Sequence, residues 1–126
     1  MKKLVSQPLK TWFLVHFIVD IIFAIPLIFF PKETFLFLGL NIVNTLAPRL
    51  VGAALIGIGG VSFLVRNKGF ESFNSLLSLK ILWSISAILG ILLYFIETGS
   101  YSVLFLASIF IIFSIVWIYF KFRKNR

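Results

Sequence analysis

The chain has 126 residues, of which 60% are hydrophobic and only 13% are charged, and its mean hydropathy is +1.09. Soluble domains contain roughly 25% charged residues, so this composition is typical of a membrane protein. A chain of this length can form about four spans of roughly 20 residues each. It therefore has no room for a soluble catalytic or nucleic-acid-binding domain.

The residue types restrict the possible chemistry further. The formal net charge is +8, but the basic residues flank apolar runs, so we interpret them as topology signals and lipid-headgroup contacts, with no nucleic-acid partner. The sequence contains no cysteine and one histidine. Disulfides and a multi-histidine metal site within one protomer are therefore excluded, and we predict no metal and no cofactor.

The apolar runs predict an all-α fold, a four-span transmembrane helix bundle that forms one integral membrane domain over residues 1–126. A segment between the first two spans has an apolar middle that is too short to cross a bilayer, so we expect it to lie along the membrane interface. The predicted spans are residues 11–30, 46–65, 73–96 and 101–120, and the interfacial segment is residues 32–44.

The distribution of lysine and arginine predicts the orientation of the spans. Basic residues concentrate on the cytoplasmic side of membrane proteins. Only Lys32 and Arg49 would lie on the opposite side of the membrane. We therefore expect the protein to lie in a cytoplasmic membrane with both termini on the cytoplasmic side. The basic residues assigned to the inner side are Lys2, Lys3, Lys10, Arg66, Lys68, Lys80, Lys121, Arg123, Lys124 and Arg126.

Ionisable residues inside the spans predict an intramembrane polar centre. His16 and Asp20 lie one helical turn apart in the first span, and Lys80, with Ser84 on its face, enters the third span from the same side. Charged groups are costly in a bilayer unless they are paired or used. Two interpretations stay open: an Asp20–Lys80 pair that fixes helix register, or a proton or ligand site at Asp20 with His16 as a relay.

A second ion pair is predicted on the outer side. Arg49 opens the second span and Glu97 ends the third, so both side chains belong to the same membrane interface. Such a pair would connect the two spans, and we expect its role to be structural.

Small residues gather on the second span. Small side chains allow another helix to approach closely. This face would pack within the protomer or form a homodimer interface. Its residues are Gly52, Ala53, Gly57 and Gly60.

The start of the second span also carries a family resemblance. Residues 47–54, Ala-Pro-Arg-Leu-Val-Gly-Ala-Ala, follow a proline-terminated first span and an apolar loop. This arrangement resembles uncharacterised small prokaryotic four-helix integral membrane proteins. The resemblance implies the fold and a prokaryotic membrane, but those proteins have no established activity, so it implies no functional residues.

Three functions are open at this point. The first is a structural or accessory membrane protein that binds lipid or a membrane protein partner. The second is a small proton-coupled transporter that acts as a homodimer through Asp20, because so small a bundle encloses little volume. The third is a lipid-modifying enzyme, and we favour a protein that is not an enzyme.

Overall fold

The computed structural model of the chain describes residues 5–40 and 44–123. This part of the chain contains five helices and no strand, and four of the helices are long and apolar enough to cross a membrane. The all-α class is therefore confirmed, as is the presence of four apolar helices of membrane-spanning length. The helices are α1 (Gln7–Phe29), α2 (Pro31–Phe37), α3 (Leu46–Leu64), α4 (Phe70–Thr98) and α5 (Val103–Phe122).

The orientation of the termini stays a prediction. It depends partly on Lys2, Lys3, Lys124 and Arg126, and these four residues lie outside the described part of the chain.

Helix α1 begins four residues before the predicted start at residue 11 because it has its own capping residue. The Ser6 hydroxyl oxygen accepts a hydrogen bond from the amide of Leu9, at 3.4 Å, and Pro8 lies in the first turn, where no amide donor is needed. The helix continues through Pro26 and ends at Phe29, before Pro31.

The short helix α2 occupies the first part of the predicted interfacial segment. Pro31 is its first residue, and Gly39 follows its end with φ of 78°, a conformation that glycine adopts without strain. Leu36 and Phe37 are exposed, whereas Leu38 is buried. Residues 41–43 of the predicted interfacial segment lie outside the described residues.

Val5–Lys68 form one compact unit, which we call the first helical unit. Here α1 and α3 pack as an antiparallel pair: Phe17 stacks on Phe63, with ring centroids 4.8 Å apart, and Gly52 lies against Ala24 and Ile28. Asn44 caps α3 by accepting from the amides of residues 46 and 47.

Residues 69–123 belong to the other compact unit, the second helical unit, which consists of α4 and α5. Gly99, with φ of 66°, ends α4. Helices α4 and α5 form an antiparallel pair. At its opposite end, the Lys121 ammonium donates to the side-chain Oδ1 atom of Asn74, at 3.1 Å, and to the backbone carbonyl oxygen of the same residue, at 3.4 Å. The prediction of one domain over the whole chain stays a prediction.

The first helical unit is organised around two buried stripes whose residues recur at intervals of three and four. This spacing places side chains on one helix face and is the pattern of helices that pack side by side. His16 and Asp20 lie in the middle of the α1 stripe, so the fold holds these two polar residues in the interior. The stripes are Leu9, Phe13, His16, Asp20, Ala24 and Leu27 of α1, and Pro48, Gly52, Leu55, Gly59 and Ser62 of α3.

Candidate functional site

His16 and Asp20 form a buried polar pair within α1. Each residue is 5% exposed, and the His16 Nε2 atom lies 3.3 Å from the Asp20 Oδ1 atom. Four residues separate them, which brings their side chains together on one helix face. The contact is an ion pair when the imidazole is protonated and a polar contact when it is neutral.

The Asp20 carboxylate lies directly on the main chain of α3 at Gly59. A Cβ atom built on Gly59 would lie 2.8 Å from the Asp20 Cβ atom and 2.9 Å from Oδ2. Side chains do not approach a Cβ atom so closely, so Asp20 occupies the space that any other residue at position 59 would need. Gly59 is therefore part of the site, although it is not among the residues predicted from the sequence.

Ser62 is a second buried residue of α3 that is not among the residues predicted from the sequence. It is 1% exposed, and its hydroxyl donates to the carbonyl of Ile58 at 3.1 Å. The contacts of Gly59 with Asp20 and of Phe63 with Phe17 place Ser62 at the level between His16 and Asp20. Its spacing of three from Gly59, on one helix face, is the sequence signal that could have found it.

The second helical unit holds Lys80 and Ser84 on its own buried stripe. Lys80 is 1% exposed and its ammonium nitrogen lies 4.9 Å from the centre of the Trp117 ring, a cation–π distance. Ser84 donates to the carbonyl of Ile81 at 3.1 Å. The antiparallel register of α4 and α5 places the buried Ser114 at the level between Lys80 and Ser84.

The residues of the predicted polar centre are thus divided between the two units. His16 and Asp20 are brought together within the first helical unit, and Lys80 and Ser84 share one stripe of the second. The pairing of Asp20 with Lys80 stays a prediction. His16 and Asp20 offer two ligand atoms for a metal, and among the described residues no three histidine, aspartate or glutamate side chains lie close enough together to hold one.

Arg49 caps the end of α1 from its position in the first turn of α3. Its Nε atom donates to the carbonyl of Ile28, at 3.0 Å, and Nη1 donates to the hydroxyl of Thr45, at 3.1 Å. A cation is favourable at the carboxyl end of a helix, where the last carbonyls have no partner within the helix. Arg49 and Glu97 belong to different units, so the ion pair between them stays a prediction.

Only part of the predicted small-residue face takes part in the packing of α1 on α3. A Cβ atom on Gly52 would lie 2.8 Å from the Ile28 side chain, so Gly52 is at a close approach. Ala53 and Gly57 are exposed, and nothing lies within 4 Å of a Cβ atom built on Gly57 or Gly60. The close approach of α3 to α1 therefore occurs at Gly52 and Gly59. A homodimer interface at Ala53, Gly57 and Gly60 stays a prediction.

In comparisons with known proteins, no family model, no curated protein and no solved structure matches this chain.

Proposed function

We propose that this chain is a multi-pass membrane protein of structural or accessory type, which binds lipid or a membrane partner. In this proposal the His16–Asp20 pair sets the register of α1 against α3. The observation that supports it is the packing of the Asp20 side chain against the backbone at Gly59, which leaves no room for a Cβ atom on residue 59.

Polar groups inside a membrane protein are stabilised when the protein itself surrounds them. Asp20 has His16 on its own helix and the backbone of α3 beneath it. A substrate group could enter between Asp20 and α3 only if the two helices separated. A residue that is packed in this way serves helix association more readily than repeated binding and release.

The proposal is tested by isolating the full chain with its surrounding membrane in polymer nanodiscs. Mass spectrometry then identifies the lipids and proteins that remain bound after washing. We expect a reproducible lipid or protein that Asp20→Asn does not displace, since Asp20 acts between helices. Proton or cation flux that depends on Asp20 would overturn the proposal.

A proton-coupled transporter, acting as a homodimer through Asp20, is the second candidate. It is favoured by the 3.3 Å contact between the imidazole and the carboxylate, because histidine takes up and releases protons near neutral pH. Among the described contacts, none favours the lipid-modifying enzyme over these two functions.

Proteoliposomes that contain a pH-sensitive dye distinguish the two candidates. The transporter requires Asp20→Asn to abolish flux driven by a pH gradient, and Glu71→Gln to preserve it. Glu71 is the matched control because it is an exposed carboxylate in the first turn of α4. Equal flux in the unmodified protein and in Asp20→Asn would eliminate the transporter.

A further inference from the structure

We propose that Arg49 is the phosphate-binding residue of a phospholipid site, located where α1 ends and α3 begins. The inference deepens the lipid-binding part of the proposed function and rests on it. The ligand is a glycerophospholipid, whose phosphate contacts the guanidinium and whose acyl chains contact the apolar side chains around it.

The first support is that the Arg49 guanidinium is held in place while part of it stays available. Its bonds to Ile28 and Thr45 use Nε and one N–H of Nη1. Arginine has five N–H donors, so three are left, one on Nη1 and two on Nη2, the two nitrogens that form its outer edge. That edge matches the oxygens of a phosphate in a two-bond arrangement, and an anchored side chain loses little further freedom on binding.

The second support is the position of Arg49 along its helix. It is the fourth residue of α3, so it lies roughly 5 Å from the start of that helix. The ends of membrane-spanning helices lie at the level of the lipid headgroups. Arg49 is itself exposed, so a headgroup can reach it.

The third support is the set of exposed apolar side chains next to Arg49 and to its acceptor Ile28. Phe29 is 68% and Phe30 is 61% exposed, and Leu46 and Leu50 are 63% and 59% exposed. Acyl chains would cover these side chains, whereas inorganic phosphate would not. The combination of an arginine with apolar neighbours therefore favours a phospholipid over a dissolved phosphate ion.

Native mass spectrometry of the full chain in detergent micelles tests the site. The probes are phosphatidylglycerol, diacylglycerol with the same acyl chains, and inorganic phosphate. We expect phosphatidylglycerol to bind, and diacylglycerol and inorganic phosphate to bind much more weakly. If diacylglycerol bound as well as phosphatidylglycerol, the proposed role of the phosphate would be overturned. If inorganic phosphate bound equally well, the proposal that the ligand is a lipid would be overturned.

The variant Arg49→Gln should weaken phosphatidylglycerol binding by about tenfold, since it removes a charge-assisted pair of hydrogen bonds. Arg49→Lys should retain part of the affinity, because lysine keeps the charge and loses the planar fork. Arg66→Gln is the matched control: Arg66 is also exposed, follows α3, and donates to the Phe63 carbonyl at 2.8 Å. If Arg66→Gln lost as much phosphatidylglycerol affinity as Arg49→Gln, the effect would be one of general surface charge, and the proposed site at Arg49 would be overturned.

Solid-state NMR of the unmodified protein in phosphatidylglycerol bilayers provides a test that does not depend on how a variant folds. The lipid ³¹P nucleus should dephase the Arg49 Cζ signal, which is assigned by its absence in Arg49→Lys. No dephasing at Arg49 would overturn the inference. The packing of Asp20 against Gly59 is tested with variants of other residues. The proposed structural role of Asp20 can therefore stand even if Arg49 does not bind phospholipid.

Discussion

The Asp20 carboxylate lies so close to Gly59 that a Cβ atom on the glycine would be 2.9 Å from its Oδ2 atom. A side chain that is costly in a bilayer thus occupies a close approach between two helices. Glycine lets the α3 backbone come near, and the short aspartate side chain fills the gap. The interaction joins a polar residue and a small residue, the two kinds that membrane helices use to associate.

Replacing Gly59 with alanine should therefore destabilise the first helical unit. Added volume in a well-packed interface costs about 1–3 kcal/mol, and here the obstacle is the Asp20 Cβ atom, which cannot swing away. We expect a lower free energy of unfolding, measured by circular dichroism in mixed micelles with increasing denaturing detergent.

The other glycines of α3 provide graded controls. Gly52→Ala should also lower stability, because a Cβ atom there would lie 2.8 Å from the Ile28 Cγ1 atom and 3.1 Å from the Ala24 backbone oxygen. Gly57→Ala should be neutral or slightly stabilising, since nothing lies within 4 Å of a Cβ atom there and alanine favours the helix. Equal stability of Gly59→Ala and Gly57→Ala would contradict the close contact at Asp20.

The sequence predicted the spans well because their signal is strong, with long apolar runs and few charges. The helix ends were less well predicted, since they depend on individual caps. The start of α1 follows from Ser6, and Gly69, with an extended backbone, precedes α4, which begins three residues before the predicted start at residue 73. Such hydrogen bonds and dihedral angles do not show in hydropathy.

The packing face of α3 could not be predicted from its glycines alone. A membrane helix is apolar all round, so periodic hydropathy does not identify the buried side. Glycines at 52, 57, 59 and 60 point in several directions, and only Gly52 and Gly59 meet α1. Gly59 meets Asp20 and Gly52 meets Ala24 and Ile28. These partners lie on another helix, so identifying the packed glycines required the three-dimensional structure.

The contact between His16 and Asp20 should appear as a coupling energy in a double-mutant cycle. Polar contacts inside membrane proteins contribute about 0.6 kcal/mol on average and about 1.7 kcal/mol at most. We expect His16→Phe and Asp20→Asn together to cost less than the sum of the two, by an amount in this range. Strict additivity in unfolding measurements would show that the 3.3 Å contact adds no stability.

The contact of Lys80 with Trp117 should likewise stabilise the second helical unit. A desolvated cation–π interaction contributes about 2 kcal/mol, and the ammonium lies 4.9 Å from the ring centre. Trp117→Leu should therefore lower stability more in the unmodified protein than in a Lys80→Met background. Phe110→Leu, which alters a ring packed edge-to-face on Trp83, is the control and should cost the same in both backgrounds.

Neutral substitutions test the predicted pairing of Asp20 with Lys80 better than a charge reversal would. Lysine at position 20 is larger than aspartate, whose side chain already packs against the α3 backbone at Gly59, whereas Asn and Met resemble the residues they would replace. If the charges pair, Asp20→Asn or Lys80→Met alone should strongly lower the folded yield, because one buried charge loses its partner. The double variant should recover much of that yield, as measured by gel filtration and thermal unfolding in detergent. A double variant with the summed loss of the two single variants would show that the two charges do not interact.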